Sequence, residues 1–306
     1  MNQFNQLQYS YSNRPRQPHR QPETAPRQSF SKLPKFGRLL AVLLIALLGV
    51  HWLWSAHAAA EAEAAQATQQ QMVAAAQTKA EVFKRQMAAL MAQYPLVDIS
   101  VAVDSSVLGL QRFGDNGSFT AASTAKVLTA VDYLEHVEAG TASLSTVING
   151  QKAEALLNAM ITLSDDPSWE ELNQYLGHPD LTAAAKQLGI LDYDATTNNL
   201  RAADIAIVLH AVESGDVLNG ADRQLLLGWL QHANYRSYIV PAVYAGNTVY
   251  HKVGIVDDSV HDAAIIARGS SAFELVIFTN GNGHYDWPER ASMMQSITRD
   301  AQAAYL

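Results

Sequence analysis

Phe119-Thr-Ala-Ala-Ser123-Thr-Ala-Lys126-Val-Leu-Thr-Ala130 sets a serine and a lysine three residues apart at the head of an apolar helical run. Three residues is close to one helical turn, so both side chains lie on one face and the amine can reach the hydroxyl without a loop to hold it. A nucleophile beside its base is one reading of the pair; ordinary helices also place Ser and Lys three apart. Two further polar clusters follow at domain-scale spacing. Ser164-Asp165-Asp166 closes the helical run 155–163, and His251-Lys252-Val253-Gly254 ends the strand-like segment 248–250. Each also has a plainer reading. Ser164-Asp165-Asp166-Pro167, with Glu170 close behind, makes a good helix N-terminus, and Lys252-Val253-Gly254 can simply end a strand.

The order S-x-x-K, S-D-D, K-V-G resembles the S-x-x-K, S-D-N, K-T-G set of class A β-lactamases and penicillin-binding proteins. The resemblance runs from about Phe83 to the C-terminus, through the contexts FTAASTAKVLTA, MITLSDD, HKVG and HDAAIIARGSSAFELVIFTNG. It implies an acyl-serine hydrolase. Ser123 would attack a carbonyl carbon, and the backbone N–H groups of Ser123 and Ile255 would form the oxyanion hole. Lys126 would be the base, which requires a neutral amine, so burial and a neighbouring cation such as Lys252 must draw its pKa down from about 10.4. Ser164 would pass a proton toward the leaving nitrogen. Lys252, with Val253 and Gly254, would hold a substrate carboxylate. Ser123, Lys126, Ser164, Asp166 and Lys252 are thus the expected catalytic residues. The implied substrate is a β-lactam or a cell-wall peptide amide, with no cofactor and no metal.

Three departures from the family pattern bear on turnover. Asp166 stands where the family has Asn, replacing an amide by an acceptor-only anion that repels a substrate carbonyl and raises the Lys126 pKa. Val253 stands where Thr or Ser offers a hydroxyl, removing a hydrogen bond worth about 1.5–3 kcal/mol to a charged group. The loop whose Glu activates the deacylating water in class A enzymes has no counterpart; Asp192 and Asp194 are the only carboxylates between Gly189 and Thr197. The acyl-enzyme is therefore expected to persist, unless Asp192 or Asp194 positions water. The rival readings are a non-catalytic binding domain that keeps the fold and a membrane-tethered scaffold assembled through an Ala/Gln stalk.

With 306 residues, 48% hydrophobic and 16% charged, the chain can bury one core of about 200 residues and leave a long N-terminal remainder. It has no cysteine, which excludes disulfides, thiolate metal sites and a cysteine nucleophile. Residues 1–38 hold seven Lys/Arg against Glu23, so that segment is +6 and the rest of the chain is −14 within the total of −8. An acidic body argues against nucleic acid as a partner. His251 and His261 flank strands and lack metal-ligand spacing, and Gly281-Asn282-Gly283 is a turn with no phosphate-loop pattern around it.

The N-terminal segment 1–38, rich in Gln, Asn, Ser, Pro and Arg, is expected to be a disordered cytoplasmic tail. Residues 39–60 carry no formal charge apart from His51 and His57, and span about 30 Å as a helix, enough to cross a bilayer. Arg38 and Lys35 guard one end, and Trp52 and Trp54 mark the other. This predicts a single-pass signal anchor with the domain outside the cytosol; the alternatives are cleavage near Ala58, which would release the domain, and a buried core helix. Residues 61–78 read as an Ala/Gln-rich helical stalk, and 79–306 as the serine hydrolase domain.

Within that domain, Phe83, Met87, Leu90 and Met91 mark a core-facing helix stopped at Tyr94-Pro95. Segments 97–103 and 107–113 read as strands around the turn 104–106, and Asp115-Asn116-Gly117 breaks the chain before a helix that starts at Ser123. Helical period then dominates to about Leu230, with breaks at Gly140, Gly150, Gly177, Gly189 and Gly215. Segments 248–253, 260–268 and 273–280 are rich in Val, Ile and Phe, and a helix begins at Pro288. The prediction is an α+β fold: an antiparallel sheet of about five strands flanked by the first and last helices, with an all-helical region inserted between strands two and three. That agrees with the β-lactamase-like fold the resemblance implies, although periodicity alone allows other α+β arrangements.

Overall fold

The computed structural model describes residues 35–306, with side chains from residue 39 onward. Residues 1–34, most of the expected tail, lie outside the described residues. Helix α1 (Lys35–Met91) takes in the last four residues of that expected tail. The chain divides into two compact units, Met1–Ala64 and Ala65–Leu306. In the first, residues 39–60 expose every side chain along α1. By length and composition α1 can cross a membrane.

In the second unit the last turns of α1 place Phe83, Met87 and Leu90 in a core. Strands β1 (Asp98–Ser105) and β2 (Gln111–Gly114) follow. Next come the short strand β3 (Phe119–Thr120), a 3-10 turn (Ala122–Ala125) and α2 (Lys126–Glu138). The helical insertion continues through a ribbon of β4 (Val147–Ile148) and β5 (Gln151–Lys152), α3 (Ala153–Asn158), a π-helical turn (Ala159–Leu163), α4 (Asp166–Leu176) and α5 (His178–Gln187). It closes with β6 (Asn199–Leu200), α6 (Ala202–Ser214) and α7 (Gly220–Gln231). The chain returns as β7 (Thr248–Val256), β8 (Ser259–Arg268) and β9 (Ser271–Asn280), and ends on α8 (Trp287–Tyr305).

The sheet has the order β2-β1-β9-β8-β7, and every pairing is antiparallel. Strand alternation divides its side chains between two cores. Val101, Val103, Leu275, Ile277, Ile266 and Val253 join Phe83 of α1 and Met293, Met294 and Ile297 of α8. Ala102, Val276, Phe278, Ala263 and Ile265 join the helical insertion on the other face. The expected α+β layout is therefore present, with both terminal helices on one face.

Several boundaries differ from the sequence reading, two of them by enough to change an element. Residues 107–110, expected as strand, form a turn and loop: β1 runs on to Ser105, the Leu108 N–H donates to Ser105 Oγ, and Gly109 takes φ +65°. Ser123, expected in the first turn of an α-helix, lies in the 3-10 turn, and α2 begins at Lys126.

Candidate active site

The turn that carries Ser123 is held from three sides. Strand β3 pairs with β6, and the Ala121 N–H donates to Asn198 O at 2.9 Å. His261 of β8 donates from Nε2 to Thr120 O at 2.9 Å while its Nδ1 accepts the Thr279 N–H at 3.1 Å, so these partners define a neutral Nε2-protonated ring. Burial moves the His261 pKa down to about 4. Strand β7 supports the third side at Gly254, where a Cβ would stand 2.8 Å from Ala121 O and 3.1 Å from Thr124 N. Only a residue without a side chain lets the two backbones approach this closely. Ala122, just before Ser123, adopts φ +49°, a left-handed conformation costly for a residue with a Cβ. Asn198 Nδ2 donates to its carbonyl at 3.2 Å.

Behind the turn the three motifs meet in one hydrogen-bonded chain. Lys126, fully buried, donates from Nζ to Ser164 O at 2.8 Å and to Asp166 Oδ1 at 2.6 Å. Lys252 donates from Nζ to Ser164 Oγ at 2.7 Å and to Val253 O at 2.9 Å. The π-helical turn ends on Ser164 in the left-handed region (φ 60°, ψ 34°), which lets its carbonyl serve one lysine and its hydroxyl the other. Asp165 caps α4, accepting from Ser168 N and Ser168 Oγ. Within this tripeptide Asp165 makes the cap, while Ser164 and Asp166 contact the two lysines.

Electrostatics separates the two lysines. Burial lowers the Lys126 pKa, opposed chiefly by its bond to Asp166. The Asp166 side chain is 80% exposed, so solvent screens its end of the pair. Burial first, with the Lys126 charge beside it and against Asp262 and Asp166, moves the Lys252 pKa down to about 7. Lys126 Nζ also lies 5.1 Å from the Trp169 ring centroid. Among the described residues, Ser123 Oγ has no hydrogen-bond partner; the amine three residues on is turned to Ser164 and Asp166 instead.

A cavity of about 610 Å³ opens on this arrangement, lined by Ser123, Asp166 and Ile255 among others. Val253 is not part of it. The Val253 side chain is 2% exposed in the sheet's other core, because strand alternation turns it away from the face that carries Lys252 and Gly254. The expected contact of that side chain with substrate is therefore corrected. Asp192 and Asp194 are also outside the cavity lining: Asp192 lies 3.4 Å from Arg201, and Asp194 accepts from Thr196 N and Oγ1. The lining that sequence reading missed comes from α4 and α5, namely Trp169, Glu170, Asn173, Gln174 and His178. Its signal was present, since Asp166, Trp169, Glu170, Asn173 and Gln174 follow i, i+3, i+4, i+7, i+8 spacing on one face. His251 and His261 are both buried structural residues, His251 through Nδ1 to Asp262 Oδ1 at 3.1 Å.

The sequence profile of the beta-lactamase enzyme family matches residues 149–305, just over half of the chain. The chain belongs to the beta-lactamase enzyme family. No curated protein matches it. Solved structures share the fold of this family member. A variant of the last common ancestor of Gram-negative bacteria class A beta-lactamase is 24% identical with a TM-score of 0.64, over 73% of this chain and 97% of its own. PenP of Rhodopseudomonas palustris, assigned to class A beta-lactamases, is 21% identical with a TM-score of 0.67, over 73% and 99%. A mutant of PBP-A, solved as an acyl-enzyme complex with penicillin G, is 18% identical with a TM-score of 0.65, over 74% and 96%.

Proposed function

We propose that this protein is a membrane-anchored, extracytoplasmic serine hydrolase that acylates on Ser123 with β-lactams or cell-wall peptide amides and releases the acyl group slowly. The observation that carries the reading is the convergence of Lys126, Ser164, Asp166 and Lys252 in one hydrogen-bonded chain beside Ser123 at the cavity wall. In the reaction the Ser123 oxygen bonds to the carbonyl carbon while its proton moves to Lys126, and the amide C–N bond then breaks. Ser164 gives its proton to the leaving nitrogen and regains one from Lys252, whose pKa of about 7 suits proton exchange near neutrality. The oxyanion accepts from the Ser123 and Ile255 N–H groups. Lys252, buried behind the cavity lining with its amine 2.7 Å from Ser164 Oγ, attracts the substrate carboxylate by its charge. Slow release follows from the lining: its carboxylates are Asp166, engaged by Lys126, and Glu170, exposed on α4.

The 2.6 Å Lys126–Asp166 contact favours a second reading, a binding domain in which the lysine stays charged and Ser123 inert. Incubating the full chain in detergent with a fluorescent penicillin separates the two. A covalent label that outlasts gel filtration and is lost in Ser123→Ala supports the hydrolase. No label at any pH up to 10 leaves the binding domain, and rapid nitrocefin turnover overturns slow release.

A further inference from the structure

Asp104 on β1 and Glu274 on β9 face each other directly across the antiparallel pair, on the face covered by α6. Both are buried, Glu274 to 1% exposure. Two like charges directly opposite on a sheet destabilise it, and burial in low dielectric enlarges the cost. His210 of α6 approaches from above, with Nδ1 3.1 Å from Glu274 Oε2. The ligand atoms of Asp104, His210 and Glu274 all lie within 4.8 Å of one another. The second oxygen of the same carboxylate, Glu274 Oε1, is buried with no hydrogen-bond partner. A buried carboxylate oxygen without a donor is a strong acceptor left unused, and it is open to a cation.

The surrounding charges do not supply one. Arg112 acts on Asp104, and Glu213 is matched by Arg223 at 3.6 Å. Among the described residues, His210 is the one base that acts on Glu274, while Asp104 and Glu213 both repel it.

We propose that Asp104, His210 and Glu274 form a binding site for one divalent transition-metal ion, separate from the Ser123 cavity. One imidazole nitrogen and two carboxylates, with no thiolate, suit zinc or manganese over softer ions. The half-exposed edge of His210 leaves positions open to water, and the cation neutralises the cross-strand pair.

The test uses the full chain in detergent, stripped with EDTA, and titrated with Zn2+ by calorimetry and thermal unfolding. The expected result is one ion bound, with a raised melting temperature, and affinity lowered at least tenfold in His210→Gln and in Glu274→Gln. His136→Gln removes a ligand from the other cluster of this kind, Asp132, His136 and Asp180, and is expected to leave binding intact. Where Glu274→Gln fails to fold, His210→Gln at the half-exposed position carries the comparison, together with the shift of the His210 imidazole resonance when Zn2+ is added to the wild type. Absence of binding by the wild type, equal affinity in His210→Gln, or loss confined to His136→Gln each overturns the proposal.

Discussion

Asp166 decides how readily Lys126 can act as a base. A catalytic amine must be neutral, so the acylation rate rises with pH until the Lys126 pKa is passed. Burial lowers that inflection, and the carboxylate 2.6 Å away holds the proton on and so keeps it above where burial alone would set it. Asp166→Asn is expected to move the inflection of penicillin labelling to lower pH, with about a tenfold faster rate below it for each unit the pKa falls. Glu170→Gln, which removes an exposed carboxylate, and Asp192→Asn, outside the cavity lining, are both expected to leave the lifetime of the label little changed. His261 carries a different pH dependence. Its folded pKa of about 4 lies below the ordinary value of 6.5, so the unfolded chain binds the extra proton first as pH falls. Stability contributed by the neutral ring is complete above pH 6.5 and declines by about 3 kcal/mol toward pH 4. Urea unfolding at pH 7 and pH 4 should show this loss, and His261→Gln should reduce it.

Strand β7 and the 3-10 turn approach too closely at Gly254 to admit a side chain. Adding a methyl group at Gly254 drives it into Ala121 O and the Thr124 N–H, so one of the two backbones must give way. Gly254→Ala is expected to cost about 1–3 kcal/mol of stability and to slow Ser123 labelling beyond the change in folded fraction, because the turn carrying the nucleophile must shift. Thermal melts paired with labelling rates on the folded protein measure both. The glycine was visible in the sequence as the third letter of K-V-G. Its reason was not, because the atoms it must avoid are more than a hundred positions earlier in the chain.

On the scale of the whole molecule, the apolar stretch 39–60 fully exposes its side chains on α1 and predicts the membrane behaviour. Full-length protein is expected to stay with membranes through an alkaline carbonate wash, and a chain beginning at residue 61 to remain in the supernatant. Protease added to intact cells stripped of their outer barrier should degrade the domain and spare an N-terminal tag. Degradation of the tag with protection of the domain would reverse the topology.

Local physics made much of this protein legible in its sequence. Period-two and period-3.6 hydrophobicity places the five sheet strands and the helical insertion to within a few residues, because each element must present one apolar stripe to a core. The order of the three motifs likewise named Lys126, Ser164, Asp166 and Lys252, whose side chains join in one hydrogen-bonded chain. Packing decided the rest. Val253 faces away from the cavity because alternation is set by which face each core covers. Lys126 meets Asp166 because α2 and α4 pack side by side, and Asp104, His210 and Glu274 come together from positions up to 170 apart. Such convergence leaves no trace in spacing along the chain, since sequence distance governs contact only within a helix turn or a strand pair, and beyond that the burial of both sheet faces sets the neighbours.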